Sequence, residues 1–410
     1  MHERGIKIQV FLISQYLIFS LLVFYHKLKK MTIKNKKSFK KPGVLEDNHI
    51  GKLKNVKVSE FMESNPNVTE KTLERVYSCS SFMRFLKGFK VDERLKADMK
   101  KEKKVMVDGH FCGNRFCPIC SKNKAKKDAI RLSCIVQWLA DQQAQQEFQR
   151  NEFSFLFLTL TAPNCKGSEL SDLLTTMNDA YNRLTKLKFF QKISHGYAKK
   201  IEVTYNHDKN SKSFDTYHPH FHILIAVDKS YFTNPKLYIK HEEWLKAWQQ
   251  VMKDPTITQV NIKRAGKNQS MIKAIKEMTK YMAKDSDYLY NEEVFNNFYN
   301  SLKGRRLMTY SGLFKEGTTL YENGALDDYK ESSTIRVDDY FRSAWLNDSN
   351  KYDNKSTSTS DLNKHDLDYI QEKLLRRGRS LSTGLDDENN LQLYVDYIGK
   401  TTYGKELKDD

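Results

Sequence analysis

Tyr217-His218-Pro219-His220-Phe221-His222-Ile223-Leu224 decides how the middle of this 410-residue chain folds. Successive side chains of an extended strand point to opposite faces, so His218, His220 and His222 share one face while Phe221 and Ile223 take the other. Apolar anchors on one side hold the strand in a core, and the imidazoles are presented on the other. Neutral imidazole is the commonest protein ligand for metal ions. Two of them on one rigid face make a bidentate arm for a divalent cation. The plainer reading, three histidines on the solvated face of an amphipathic strand, loses ground as the neighbouring segments are added.

Upstream, 200–206 (KIEVTYN) alternates apolar and polar residues and reads as a second strand, with the polar stretch 207–216 as a loop centred near Lys212. An antiparallel hairpin with that centre sets Glu202 about opposite His222 and Thr204 about opposite His220. Ile201, Val203 and Tyr205 then point away, leaving Glu202 on the histidine face. Cross-strand neighbours on one face lie roughly 5 Å apart at Cβ, close enough to share an ion. Two imidazoles and a carboxylate leave positions for water and a phosphate oxygen, which suits Mg or Mn better than a closed structural zinc.

The segment 153–161 (FSFLFLTLT) is β-branched and aromatic, too short for a helix, and ended by Pro163-Asn164; it reads as a buried strand. Residues 125–150, 169–190, 241–253 and 268–284 read as helices. In the last, Met271, Ile275, Met278 and Met282 form an apolar stripe that should pack on the sheet. Beside it Glu277, Tyr281 and Lys284 follow i, i+4, i+7 spacing. A phenol is a poor nucleophile at its ordinary pKa, so a nearby ammonium and a polarised phosphate would help Tyr281 attack.

Charge is unevenly placed. Residues 27–57 hold eleven Lys against two acidic residues, and residues 84–131 hold fifteen Lys and Arg against six. Each stretch carries a surplus of nine, and together they equal the net charge of +18. A concentrated surplus of this kind implies a polyanionic partner, with nucleic acid foremost. Six cysteines are too few and too clustered for a secreted disulfide scaffold. Cys112, Cys117 and Cys120 fall within nine residues and offer a chelating CxxC turn plus a third thiolate. Cys79 or His110 would complete a tetrahedral structural zinc site. Cys134 and Cys165 read as plain thiols.

The N-terminus is open to three readings. Residues 10–25 are apolar but interrupted by Ser14, Gln15 and Ser20, short for a spanning helix and without a cleavage site after them. Residues 1–30 are therefore a mis-assigned start ahead of Met31, a membrane anchor, or a buried or interfacial helix. No internal repeat is visible.

Several segments together resemble one known family. FLTLT (157–161) with Asn164, KIEVTYN (200–206), TYHPHFHILI (216–225), EMTKYMAKDSD (277–287) and RRLMTYSGLFKE (305–316) resemble the rolling-circle plasmid replication initiators of Gram-positive bacteria, in the HUH endonuclease superfamily. The likeness covers roughly residues 70–320. It implies that His220 and His222 bind a divalent metal and that Tyr281 nicks DNA and keeps the 5′ phosphate. It also implies that Glu277 activates water in the terminating cleavage. Family members carry a cysteine cluster upstream of the nuclease core, as here.

The expected fold is α+β. A central antiparallel sheet flanked by helices, with the histidine strand in its middle, follows a small Cys-rich zinc-binding subdomain. The expected order is an apolar extension (1–30), a basic flexible arm (31–70), the Cys-rich basic region (71–131), the nicking-closing nuclease (132–320), and a C-terminal region (321–410) containing a low-complexity linker at 347–364. The expected function is origin binding on a plasmid in the cytoplasm, with metal-dependent nicking through a covalent 5′-phosphotyrosine. The chain shows no helicase P-loop, so a host helicase and DNA polymerase would be its partners. Two other readings compete: a non-catalytic zinc-containing DNA-binding protein, and a relaxase or transposase of the same superfamily.

Overall fold

The computed structural model describes residues 44–92, 97–145, 153–266, 269–280, 282–385 and 391–401. The chain divides into two units, Met1–Asp47 and Asn48–Asp410. Of the first only the helical residues 44–47 are described, so residues 1–30 lie outside the described residues. Apart from residues 44–47, all that follows belongs to the second unit. Among the described residues no helix is long and apolar enough to cross a membrane.

The central sheet has five antiparallel strands: β3 (Phe153–Thr161), β4 (Gly196–Asn206), β5 (Thr216–Asp228), β6 (Val260–Ala265) and β7 (Met308–Gly312). Their spatial order is β6-β3-β5-β4-β7, so the histidine strand β5 lies in the middle. Both its faces are covered for most of its length. On one, Phe221, Ile223, Ile225 and Val227 join Leu156, Leu158, Leu160, Ile201 and Val203 in a core. Helices Leu170–Leu184, His241–Met252 and Glu292–Leu302 close that core with Tyr181, Trp244, Trp248, Phe295 and Phe298. Each fully buried Leu, Ile, Val or Phe among them contributes about 1.5–3 kcal/mol.

On the other face Leu224, Ala226, Ala198 and Phe155 lie under helices Pro118–Gln145, Gln269–Thr279 and Leu313–Glu322, through Leu132, Ile135, Met271, Met278 and Phe314. His220 and His222 share this second face with Leu224 and Ala226, and they stand at the margin of that apolar layer. At the far end of β4, Gly196 (φ 149°) faces Gly312 (φ 54°). A Cβ at Gly312 would lie 2.3 Å from the His195 carbonyl oxygen, so only glycine lets β7 approach there.

A second antiparallel sheet unites the two ends of the described chain. β1 (Phe82–Asp92) and β2 (Ala97–Gly109) join β8 (Lys330–Leu346), β9 (Lys351–Ser358), β10 (Arg379–Leu385) and β11 (Leu391–Thr401). Its core of Leu86, Val105, Val107, Ile335, Val337, Leu393 and Val395 is covered by Ile370 and Leu374 of helix Lys364–Leu375. Strands from the Cys-rich region and from the C-terminal region therefore share one sheet.

Four sequence expectations are corrected. The basic arm 31–70 is structured from residue 44, in helices Val44–Glu63 and Glu70–Tyr77. Lys52, Asn55, Val58, Ser59 and Met62 make a buried face at helical spacing, which the lysine-rich composition disguises. The supposed linker 347–364 contains the edge strand β9, paired with β8 from Asp339↔Ser358 to Leu346↔Lys351. A solvated edge strand tolerates the same Ser, Thr and Asn residues as a linker; Tyr352 anchors this one, its ring 4.9 Å from that of Trp345. The helix expected at 169–190 divides into Leu170–Leu184 and Lys188–Ile193. The helix expected at 268–284 stops at Thr279.

Candidate functional site

β4 and β5 pair with Glu202 opposite His220, Thr204 opposite His218, and Lys200 opposite His222. The expected pairing is displaced by two residues, an even shift that keeps every side chain on its expected face. Glu202 Oε2 lies 3.0 Å from His222 Nε2 and 3.5 Å from His220 Nε2. All three residues are nine-tenths or more buried, and their ligand atoms fall within 4.8 Å of one another. His218, though on the same face, is not part of this group.

The donor set fits a divalent ion. Octahedral Mg at about 2.1 Å from each ligand separates adjacent ligands by about 3.0 Å. Burial opposes ionisation of Glu202, but hydrogen bonds and electrostatic attraction from the two imidazoles outweigh it and hold the carboxyl well below the usual carboxylate range. His220 Nδ1 lies 3.3 Å from the His218 carbonyl oxygen. A carbonyl only accepts, so Nδ1 donates to it, and this frees Nε2 to give up its proton to a metal ion that replaces it beside Glu202. His222 Nδ1 lies 3.2 Å from Thr159 Oγ1, and its ring stacks on Phe157 at 5.5 Å. Phe157 and Thr159 thus orient His222. The alternation of FLTLT places both on the histidine face, a signal that reading the segment simply as a buried strand passes over.

Lys200 is buried beside Glu202, and burial pushes its ammonium down to about 8. Its Nζ donates to the Lys280 carbonyl, and the Val203 N–H donates to the Met282 carbonyl at 2.9 Å. The residues on either side of position 281 are therefore tied to the part of β4 that carries Glu202. Tyr281 itself lies outside the described residues. Glu277 pairs with Lys280 and lines an open cleft of about 720 Å³ that His222 and Thr159 also line. Lys263, Arg264 and Lys273 give this cleft a positive wall.

Lys284 is exposed and stands at the N-cap position of a separate short helix, Asp285–Tyr288. Glu277 and Lys284 therefore do not share one helix. Met271, Ile275 and Met278 do pack as an apolar stripe, but Met282 lies past the helix end and joins the opposite core.

Cys79, Cys112, Cys117 and Cys120 converge in a second buried group. Neighbouring sulfurs are 3.5–3.6 Å apart. Tetrahedral zinc with Zn–S near 2.3 Å spaces sulfurs by about 3.8 Å. Backbone N–H groups of Cys112, Gly113 and Asn114 donate to Cys79, Cys120 and Cys112 sulfurs respectively, an arrangement that favours thiolate. Cys79, and not His110, is the fourth member. Lys52 Nζ donates to the carbonyls of Tyr77 and Cys79, bringing a positive charge to the cluster. Cys134 and Cys165 are buried elsewhere.

A replication-protein family model matches residues 103–361, more than half the chain. The chain belongs to the Rep replication-protein family. A Rep protein of Staphylococcus aureus is 38% identical over 226 residues, covering 55% of this chain and 88% of the relative. One from Lentilactobacillus hilgardii is 32% identical over 300 residues, covering 70% and 85%. Another from Streptococcus pneumoniae is 31% identical over 250 residues, covering 60% and 71%. The match to the Rep family spans Glu202, His220, His222, Glu277, Tyr281 and three of the four clustered cysteines, whereas Cys79 precedes it. No solved structure matches the chain significantly.

Proposed function

We propose that this Rep protein starts rolling-circle replication by nicking one strand of a plasmid double-strand origin through tyrosine transesterification. The observation that carries the reading is the convergence of Glu202, His220 and His222 on one buried point beside a cationic cleft. A non-catalytic DNA-binding protein has no need of that geometry. A divalent ion held by these three residues would draw charge from a phosphate oxygen and make phosphorus more electrophilic.

The Tyr281 oxygen gives up its phenolic proton to water and attacks phosphorus, so the O–H bond breaks as a new O–P bond forms. The P–O3′ bond breaks, and the departing 3′ oxygen takes up a proton to become the free 3′-OH that primes synthesis. The 5′ phosphate stays on Tyr281. Lys263, Arg264 and Lys273 hold the strand in the cleft by its phosphates. A host helicase then separates the strands and a host polymerase extends the 3′ end. The test is incubation of the full chain with single-stranded origin oligonucleotides, with and without Mg or Mn, scoring cleavage and adduct.

At termination Tyr281 already carries a phosphate, so another nucleophile is required. Glu277, in the same cleft as His222, acts as general base for a water. General-base catalysis contributes about 10²–10⁴-fold. Glu277→Ala should therefore nick and form its adduct normally, yet accumulate over-length single strands in a replication assay. Unit-length circles from this variant would make Glu277 an ordinary helix-surface residue.

The cysteine group is proposed as a structural zinc site. Cys117→Ser and Cys120→Ser should each release about one zinc per chain and loosen the region around 79–131, because binding of structural zinc is coupled to folding. Metal analysis finding no zinc in the wild-type protein would refute the assignment.

A further inference from the structure

We infer that the cavity between the cysteine loop and the β7 edge is a second phosphate site, holding a neighbouring phosphodiester of the single strand that is cut at Glu202, His220 and His222. The inference deepens the nicking reading and rests on it for the identity of the ligand. The cavity measures about 310 Å³ and lies on the opposite side of the metal group from the Glu277 cleft. Buried Lys200 lines it together with Arg115, Lys124, Arg131, Arg305 and Arg306. Asp128 is the one acid in its lining, and it is buried and 3.3 Å from Lys124. The remaining positive charge has no counterion there.

The cations divide by what they already hold. Arg115 donates to the carbonyls of Leu302 and Arg305, and Arg305 donates to Ser171 and Ser301, so these two build the wall. Arg131 is differently placed. Its Nε is buried without a hydrogen-bond partner, and its guanidinium holds only a long ion pair, 4.0 Å from Glu322, and the face of Tyr321 at 5.8 Å. The Tyr310 hydroxyl, on the same lining, is also buried without a partner. Arg306 is exposed and makes no hydrogen bond or ion pair among the described residues. Buried donors are normally satisfied, and a guanidinium pairs most strongly with phosphate or carboxylate oxygens. A phosphodiester brings one negative charge and two free oxygens, matching Arg131, Arg306 and the Tyr310 hydroxyl.

Position selects DNA among phosphates. Lys200 stands two residues from Glu202 on the same strand face, about 7 Å away, and it is the register partner of His222. One chain of phosphodiesters can therefore cross from the Glu277 cleft over the metal group into this cavity.

The test uses the full chain and a labelled single-stranded oligonucleotide of mixed sequence, titrated over a series of salt concentrations without added Mg or Mn. Arg306→Gln and Arg131→Gln should each weaken binding several-fold on every sequence. Each should reduce the slope of log affinity against log salt by about 0.7, the value of one lost phosphate contact on a single strand. Arg306→Lys, which keeps the charge, should keep the slope. A wild-type slope in Arg306→Gln overturns the inference; this variant decides even if Arg131→Gln does not fold, because Arg306 is exposed and unpartnered. The two readings fail separately. A wild-type chain that binds with the Arg306-dependent slope but never forms a covalent adduct keeps the cavity and removes the nicking reading. Adduct formation with an unchanged slope in Arg306→Gln does the reverse.

Discussion

Tyr281→Phe is expected to eliminate the covalent protein–DNA adduct and reduce nicking to background, while origin binding stays within about twofold of wild type. The substitution keeps the ring and removes only the oxygen to which the proposed mechanism gives the attack on phosphorus. Binding depends instead on the cationic cleft and the basic stretches, which the change does not touch. An adduct surviving in the Phe variant would move the nucleophile elsewhere. The next tyrosine is a poor substitute: Tyr288 is 2% exposed, and its hydroxyl donates to the Asp285 carboxylate at 2.9 Å.

His222→Ala is expected to lower metal-dependent nicking by about 10²–10⁴-fold, the equivalent of several kcal/mol of lost charge stabilisation. His220→Ala should fall in the same range, since each removes one of three ligands and leaves Glu202 with half its partners. Glu202→Ala should raise the metal concentration needed for half-maximal rate. Titrating Mn against nicking rate checks all three. Unchanged metal dependence across the set would separate this group from the chemistry.

The convergence of Glu202, His220 and His222 was legible because strand periodicity is strict. Alternation alone assigns Glu202, His220 and His222 to one face and Ile201, Val203, Phe221 and Ile223 to the other. The exact pairing was not legible, because it depends on the turn. Asn206 faces Thr216 across a nine-residue loop, in which Asp215 adopts φ 57° and the Asn206 side chain donates to Ser211 and Ser213. Nothing in a polar run fixes such a centre to within one residue.

The helix end at Thr279 was hidden for a related reason. The sequence through Lys284 keeps helical spacing, but tertiary bonds from β4 to Lys280 and Met282 compete with further helix, and Asp285 and Asp287 favour a new helix start. The apolar stripe survived this because Met271, Ile275 and Met278 all precede the break. The second sheet was least legible. Its strands come from both ends of the described chain, and β9 carries the composition of a linker, so local pattern says little about long-range pairing.

The most direct measurement is denaturing electrophoresis of the full chain after reaction with a 5′- or 3′-labelled single-stranded origin oligonucleotide, with and without Mn, followed by mass mapping of the modified peptide. The account predicts an adduct that retains the fragment 3′ of the nick through its 5′ phosphate, forms only with the metal, and maps to Tyr281. Cleavage that leaves both fragments free, or an adduct that forms equally well without metal or on another residue, would contradict it.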